Sequence, residues 1–451
     1  MSARTTPRAV VPESAEPAPL AEPAPAVSPV AMRRNARLGV INGVLFTLGD
    51  ALSSASFVLA LLVRQLGGSL LLVGLLPALQ SGGYLLPQML VSGRLQAMPA
   101  KLGLYRRAAL ARLAAFTALV AATFAAAVVP PRLSLWLIII AFTIFCIGGG
   151  TSTLAFQEVV AKVVPARRRG GFFGMRQLGG GLLTVLVAGP LARWLLADPP
   201  PAPFPANYGL LVTGSLLCYA GGIAAFSRIE EPPEGRAGPR LRLADSLRRA
   251  PRLLRDDDNY RWFIVSRVLS RCGQIAEPFY IIYAIEALGL PASLAGVYLA
   301  VRALSGALSN IAWGRVSDRR GNRALLLISG GLLALTPLLA LAAPPVAAGL
   351  GLGAAGASVA VGLVFLASGA ANDASNIAGM TYLLEAMPEP DRPIAIAFAN
   401  TIFGIVTFLP VIGGWLIAVA GYRGAFAVAL ACSLLGLAAS FRLAEPRRAT
   451  R

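Results

Sequence analysis

The sequence predicts an all-α membrane protein whose twelve transmembrane helices form two six-helix halves. Three observations support this prediction: a very apolar composition, a series of long apolar runs, and landmarks that recur in the second half of the chain. The 451 residues are 56% hydrophobic and 14% charged, with a mean hydropathy of +0.68. Water-soluble domains carry about 25% charged residues, so this chain is expected to lie in a lipid bilayer.

The composition also excludes several kinds of site. The net charge of +19 could suggest nucleic acid, but the basic residues stand between apolar runs, so nucleic acid is not an expected partner. The chain has no histidine, which excludes histidine-based catalysis and histidine metal ligands. Its cysteines lie within apolar runs and lack metal-ligand spacing; they are Cys146, Cys218, Cys272 and Cys432. We therefore expect neither a metal site nor a cofactor.

Twelve apolar runs are each long enough to cross a bilayer as a helix, which takes about 20 residues. They are residues 38–63, 70–91, 105–129, 133–158, 172–196, 208–226, 262–284, 293–313, 324–343, 350–380, 394–419 and 422–443. The chain is accordingly divided into a disordered cytoplasmic tail (1–36), a first half (37–227), a cytoplasmic central loop (228–260), a second half (261–443) and a cytoplasmic tail (444–451). In the central loop, residues 241–254 are predicted to form an amphipathic helix on the anionic inner leaflet.

The distribution of loop charge orients these helices. Basic residues concentrate in alternate loops, at 33–37, 94–107, 162–169 and 315–323. The loops between them hold little beyond Arg64, Arg132, Arg193 and Arg423. Because basic loops stay on the cytoplasmic side, the sequence predicts a multi-pass protein of a bacterial plasma membrane with both termini in the cytoplasm.

Landmarks in the two halves align at offsets between 221 and 224 residues. The aligned pairs are Asn35 with Asn259, Gly74 with Gly296, Gly93 with Gly314, Pro165 with Pro388, and Arg169 with Arg392. Tandem halves around the membrane midplane are typical of secondary transporters. The repeat therefore predicts a binding site between the halves.

The stretch 313–323 carries dense charge between two apolar runs. Five of its residues match the pattern G-x-x-x-D-R-x-G-x-R: Gly314, Asp318, Arg319, Gly321 and Arg323. In this respect the chain resembles the major facilitator superfamily of transporters. The alternative interpretation is an arginine-rich cytoplasmic turn with no further role.

The resemblance implies a single central site that opens alternately to each side of the membrane. It also implies that the 313–323 loop packs against the cytoplasmic end of the fifth helix when the inner gate is shut. Asp318 would then face a helix N-terminus, with Arg169 or Arg176 as a paired contact. Ala97 stands where the second half has Asp318, so this gate is expected to be asymmetric.

Polar side chains at membrane depth should face a cavity or a partner, because lipid cannot satisfy them. Helices three, six, nine and twelve have no charge in their central turns and are predicted to form lipid-facing walls around a polar interior. The candidate substrate or coupling residues are Asp50, Gln80, Tyr84, Arg271, Gln274, Glu277, Arg302, Asn372 and Asp373. The alternative is that these residues form ion pairs that only hold the helices together.

Asp50 is predicted to couple transport to protons if the protein is proton-driven. It has no base on its own helix, and Arg271 or Arg302 is expected to face it. Glu277 is expected to be held in a pair with Arg302, and Asp373 to act as a gate towards the inner end of the tenth helix.

Together these features predict a secondary active transporter of a small organic or amphiphilic solute that works as a monomer. Gly189-Pro190 matches part of a G-P-x-x-G-G element of drug-proton antiporters, which slightly favours export, although tight helix crossing explains it equally simply. The expected partners are the small-molecule substrate, protons if transport is coupled, and the bilayer. The alternatives are a membrane-embedded lipid-modifying enzyme and a non-transporting sensor. The sequence has neither a histidine nor an acid pair at a membrane face, which is evidence against the enzyme.

Overall fold

The computed structural model describes residues 29–95, 100–232, 254–349, 351, 353–388 and 392–446, and every regular element among them is a helix. The α-helices of the first half are Pro29–Leu52, Val58–Gln65, Leu70–Leu95, Leu102–Ala125, Pro131–Val163, Ala166–Leu183, Gly189–Leu195 and Ala206–Ser227. Those of the second half are Asp258–Gly273, Tyr280–Glu286, Leu294–Arg320, Asn322–Gly349, Gly353–Ala386, Arg392–Val406 and Leu409–Ser440.

Helices that continue one another form twelve segments, six in each half, numbered here in chain order. In the described part of the chain, eight helices are long and apolar enough to cross a membrane, judged by length and composition. One of them, Ile394–Ser440, covers the eleventh and twelfth segments, which meet at Gly421 with φ +70°. Glycine suits this turn because a residue with a Cβ rarely adopts positive φ. The first, second and seventh segments complete the twelve.

The first and seventh segments are interrupted at equivalent places. The first is interrupted at residues 53–57, where the Ser53 hydroxyl donates to the carbonyl oxygen of Gly49 at 2.9 Å. The seventh passes through a 3-10 helix, Gln274–Phe279, that contains Pro278. Serine hydroxyls compete with the helical hydrogen bonds and proline lacks an N–H, so the local sequence explains both interruptions.

The fifth and eleventh segments are interrupted in the same way. The fifth contains a π-helix, Thr184–Ala188, just before Pro190, and the eleventh is interrupted just before Pro410. Thr184 and Thr407, 223 residues apart, each donate to the carbonyl oxygen four residues earlier, at 3.0 and 2.9 Å. Irregular backbone at membrane depth is tolerated where it lines a cavity or is buried in protein. The four interruptions therefore mark the interior of the molecule.

A repeated clasp joins the start and the end of each half. In the first half, Asn35 donates to the carbonyl oxygen of Glu230 at 3.0 Å and accepts from its N–H at 3.2 Å. In the second half, Asn259 accepts from the N–H of Ala444 at 2.9 Å. The two aligned asparagines thus have equivalent contacts, which is a physical reason for this part of the sequence repeat.

Beside each clasp, a glutamate caps a helix. Glu231 accepts from the N–H of Leu102 at 2.7 Å and from Nζ of Lys162 at 2.8 Å. Glu445 accepts from the N–H of Arg323 at 3.3 Å. A carboxylate at a helix N-terminus satisfies N–H groups that have no helical partner and meets the positive end of the helix dipole. The caps therefore tie the third and ninth segments to the ends of their own halves.

The two halves meet at the membrane face that carries Arg64, which we call the Arg64 face. Nε of Arg64 donates to Oε1 of Glu286 at 2.7 Å, and the hydroxyl of Tyr422 donates to the other carboxylate oxygen at 2.8 Å. Arg64 belongs to the first half, whereas Glu286 and Tyr422 belong to the second. This contact holds the halves together at one face.

Two aligned glycines bring the halves close beneath that face. A Cβ on Gly74 would collide with the backbone of Pro410, and a Cβ on Gly296 would collide with the backbone of Gly189. The second segment thus crosses the eleventh as the eighth crosses the fifth. Only glycine permits this approach, because any larger residue would push the crossing helices apart.

The first helix begins earlier than the sequence predicts. It starts at Pro29, so residues 29–36, which the sequence assigns to the tail, are helical. Proline suits the first turn of a helix because its missing N–H has no helical partner there. The clasp at Asn35, farther along the same helix, adds tertiary contacts.

The charged stretch after the eighth segment also differs from the expected turn. The helix Leu294–Arg320 continues through residues 313–320, and Gly321, at φ +85°, separates it from the next helix. The charges are thus carried by the end of a helix. Residues 241–253, most of the predicted amphipathic helix, lie outside the described residues.

Replacing the cap at the end of the first half should destabilise the protein. The Glu231 side chain is only 4% exposed and pairs with Lys162, so Glu231→Gln should cost about 1 to 3 kcal/mol of unfolding free energy. The measurement is the midpoint of thermal unfolding in detergent, followed by circular dichroism. The control is Glu230→Gln, whose carboxylate is 60% exposed and pairs with Arg34; it should cost less than about 1 kcal/mol. Equal losses from both variants would contradict the role of the cap.

Candidate functional site

A cavity of about 710 Å³ lies between the two halves. The four interrupted stretches supply part of its wall: Ser54, Ser56, Thr184, Gln274, Glu277 and Thr407. All the residues that the sequence proposes for a substrate or coupling site line this one cavity: Asp50, Gln80, Tyr84, Arg271, Gln274, Glu277, Arg302, Asn372 and Asp373. They come from five segments, so only the tertiary fold brings them together.

On the second-half side of the cavity, polar side chains form a connected network. Arg302 forms an ion pair with Glu277, and Asn372 donates to the same carboxylate at 3.1 Å. Gln274 donates to the side-chain oxygen of Asn372 at 3.2 Å. The Glu277 carboxylate thus has a cation and an amide donor in place of water, which offsets part of the cost of removing it from water.

Asp373 lies next to this network with a different partner. It lines the cavity and accepts from Nδ2 of Asn310 at 2.8 Å. Among the described residues no arginine or lysine forms an ion pair with it, and its role as a gate stays a prediction. In the same part of the chain, no group of three His, Cys, Asp or Glu side chains is placed to hold a metal ion.

Asp50 has partners that the sequence did not indicate. The Tyr219 hydroxyl donates to Oδ1 of Asp50 at 2.7 Å, and the positive charge acting on this carboxylate is that of Arg112. The expected pairing of Asp50 with Arg271 or Arg302 is therefore wrong for this conformation. The physical reason is that Arg302 is held by Glu277, while Arg112 supplies a cation within the first half itself.

Arg112 lies in an aromatic cage. The side chain is 3% exposed and donates to the hydroxyl of Tyr84. Its guanidinium carbon lies 4.3 Å from the ring centroid of Phe145, 5.0 Å from that of Phe46 and 5.6 Å from that of Tyr219. Ring faces attract a cation most strongly where water is absent, so the cage stabilises a charge that lipid could not.

Arg112 and Tyr219 correct the prediction that the third and sixth segments are plain lipid-facing walls. Their inner faces supply both partners of Asp50. The sequence did contain a signal, because an arginine inside an apolar run requires a partner at any position along the run. The predicted span, residues 105–129, placed Arg112 in its first third, whereas the helix Leu102–Ala125 places it near the middle.

A second pocket, of about 430 Å³, opens within the first half. Arg112 and Arg176 line it together with Asn42 and Phe156. Arg176 donates to the side-chain oxygen of Asn42 at 3.1 Å and to the carbonyl oxygen of Gly39, and its guanidinium carbon lies 4.4 Å from the ring centroid of Phe156. The Arg176 guanidinium therefore finds hydrogen-bond acceptors within the first half.

The predicted gate residues are spread over one membrane face. Gly314, Asp318 and Arg319 lie on the last turns of the eighth segment, and Asp318 and Arg319 are exposed. Gly321 follows directly, and Arg323 donates to the carbonyl oxygen of Phe441 at 3.1 Å.

The Arg169 side chain hydrogen-bonds to backbone close to it in sequence. It donates to the carbonyl oxygen of Val164 at 3.1 Å, as its aligned partner Arg392 donates to that of Met387 at 3.2 Å. Arg169 and Arg176 thus bind backbone within the first half in this conformation. The latch with Asp318, which the resemblance places in the opposite conformation, stays a prediction.

Comparison with known proteins adds the family. A model described as Major Facilitator Superfamily matches residues 39–371 and 274–451, whereas no curated protein sequence matches. Similar solved structures include a D-xylose-proton symporter, which is 17% identical with a TM-score of 0.67 over 92% of this chain and 99% of that chain. A bacterial homologue of the iron transporter ferroportin in its inward-facing state is 14% identical, with a TM-score of 0.65 over 92% and 99% of the two chains. A nucleoside transporter is 14% identical, with a TM-score of 0.63 over 91% and 98%.

Structural similarity at such low sequence identities shows the fold alone. Both this similarity and the family model extend over nearly the whole chain. The architecture described above is consistent with this family: twelve segments form two related halves with a polar cavity between them. The chain belongs to the Major Facilitator Superfamily.

Proposed function

We propose that the chain is a secondary active transporter that moves a small organic or amphiphilic solute across the bacterial plasma membrane by alternating access. The observation that supports this most directly is the 710 Å³ cavity between the halves, lined by three acids and two arginines. Ionisable groups at membrane depth are costly and typically mark a solute or ion pathway. The aromatic Tyr84 and the apolar Leu299 also line the cavity and suit a solute with an apolar part.

The cavity is proposed to face the cytoplasm in this conformation. The contacts of Arg64 with Glu286, and the glycine crossings beneath them, close the opposite face if both termini are cytoplasmic. The TM-score with the ferroportin homologue is 0.65 for the inward-facing state, against 0.55 for an outward-facing one. Opening the other way would require these contacts to part and the latch at Asp318 to form.

Asp50 is the proposed site of proton coupling. Its side chain lines the solute cavity, and Arg112, which acts on Asp50, also donates to Tyr84 on the cavity wall. Proton uptake by Asp50 removes its charge and weakens its hold on Arg112 and Tyr219. The change therefore reaches a side chain that lines the cavity, which is the requirement for coupling solute movement to protons.

Export is the direction that the sequence slightly favours, and the lipid-modifying enzyme and the sensor are the alternative functions. Reconstitution into proteoliposomes separates them: flux of at least one solute from a broad panel supports a transporter. Correctly folded protein that moves no solute from the panel would favour a sensor, and chemical conversion of lipid would favour an enzyme.

The proposed orientation predicts labelling from one side only. In a cysteine-free background, Ser69→Cys should react in intact cells with an impermeant thiol reagent, because residue 69 is exposed at the Arg64 face. Arg320→Cys, exposed at the opposite face, should react only after the membrane is permeabilised. Labelling of position 320 in intact cells would overturn the orientation.

Neutralising the proposed coupling acid should separate accumulation from exchange. Asp50→Asn keeps a side chain of the same shape that can still accept from Tyr219, but it cannot take up a proton. Accumulation driven by a pH gradient in proteoliposomes should be lost, while exchange of internal for external solute persists. The control is Asp198→Asn, an exposed acid at the Arg64 face, which should retain both activities. Gradient-driven accumulation by Asp50→Asn would assign coupling elsewhere.

Weakening the contact at the Arg64 face should favour the outward-facing state. Arg64 and Glu286 are 29% and 36% exposed, so their ion pair is worth at most about 1 kcal/mol, and Glu286→Gln should shift the equilibrium about two- to fivefold. The readout is the rate at which an impermeant thiol reagent, added outside, labels a cysteine at Ser81 in the cavity. Asp198→Asn again serves as the control and should leave this rate unchanged. An unchanged rate in Glu286→Gln would show that the pair does not close the face.

A further inference from the structure

Among the described residues, Arg271 has no hydrogen-bond or ion-pair partner, whereas Arg302, the other arginine that lines the cavity, pairs with Glu277. In the described part of the chain, Nε of Arg271 is buried without a hydrogen-bond partner. Its guanidinium carbon lies 5.2 Å from the ring centroid of Phe403. Burying part of a guanidinium without an acid or a hydrogen-bond acceptor is costly. The partly buried Arg271 side chain lines the cavity, so a solute bound there can supply the missing partner.

The acids that line the cavity with Arg271 have other partners. Asp373 accepts from Asn310, and the cation acting on it is Arg302. Glu277 is held by Arg302 and Asn372, and it is the acid nearest in sequence to Arg271. Asp50 is held by Tyr219 and lies under the charge of Arg112.

One turn before Arg271, Arg267 adds a second positive charge. It donates to the hydroxyl of Ser375 at 2.6 Å, and among the described residues no acid forms an ion pair with it. The local charge near Arg271 is therefore positive, although the cavity as a whole is nearly balanced.

Arg271 lines a recess of about 100 Å³ at the edge of the main cavity. Its other lining residues include Ser56, Ser81, Glu277, Pro278, Val406 and Pro410. Neither Ser56 nor Ser81 has a hydrogen-bond partner for its hydroxyl within the described chain. An arginine with two available hydroxyls around a small space has the donors that recognise a carboxylate or a phosphate, because a guanidinium binds both in a two-pronged manner.

We propose that the transported solute is an organic anion whose carboxylate or phosphate group occupies this recess on Arg271. The remainder of the solute then extends into the main cavity beside Gln80 and Tyr84. This inference rests on the proposed transport function and adds the chemical class of the solute. Bound solute supplies the negative charge that Arg271 lacks, and the proline and valine side chains of the recess keep water away from the pair.

The test measures the local charge without knowing the solute. Val406→Cys, which keeps both serine hydroxyls of the recess, is placed in a cysteine-free background. The purified protein in detergent is labelled with an anionic methanethiosulfonate (sulfonatoethyl) and a cationic one (trimethylammonioethyl). The anionic reagent should be favoured, and adding Arg271→Gln should lower the anionic-to-cationic rate ratio about tenfold. Arg193→Gln, which removes an exposed arginine, is the matched control and should leave the ratio unchanged.

Protection against labelling then tests anion binding itself. Benzoate and phenyl phosphate are the probes, and benzyl alcohol is their uncharged counterpart. Slower labelling with either anion, lost in Arg271→Gln, supports the proposal, and the more protective of the two identifies the group. An unchanged rate ratio in Arg271→Gln, or equal protection by benzyl alcohol, or no protection by either anion, would overturn it. Solute flux in proteoliposomes despite such a result would leave the transporter proposal standing and refute only the anionic solute.

Discussion

A charge at membrane depth is stable only where a partner or water replaces the lipid around it, and this constraint orders the interior of the protein. In the first half, Asp50, Tyr219 and Arg112 are partners for one another, and aromatic rings enclose Arg112. In the second half, Glu277 and Arg302 form a pair that Asn372 supports. Asp50, Glu277 and Arg302 line the cavity, and Arg271 is left as the cation that an incoming anion would complete.

Backbone groups obey the same constraint as side chains. The first, fifth, seventh and eleventh segments are interrupted at positions related by the internal repeat, and each interruption lies at the cavity. Away from the cavity such interruptions would expose N–H and carbonyl groups to lipid. The repeat thus delivers four irregular stretches to one place, where their freed polar groups and hydroxyls become part of the site.

A change from the inward-facing to the outward-facing state has to break specific contacts between the halves. Contacts across the halves at the Arg64 face combine a partly exposed ion pair with close glycine crossings. The ion pair is weak enough to break and re-form, and the glycine crossings would have to separate with it. The clasps and caps at the opposite face lie within each half, which allows each half to move as a body.

The sequence alone determined the fold class, the six-and-six division and the candidate residues that line the cavity. It could do so because hydropathy, span length and the cost of buried charge are properties of the chain read in one dimension. Of the two acid–base contacts it predicted, the pair of Glu277 with Arg302 is present in the structure. Asp50 was expected to face Arg271 or Arg302, but it meets Tyr219 and is acted on by Arg112. The sequence also missed the continuation of the eighth helix through residues 313–320. Pairing depends on how far each side chain reaches across a helix crossing, and crossings are set by tertiary packing, so only the structure could decide it.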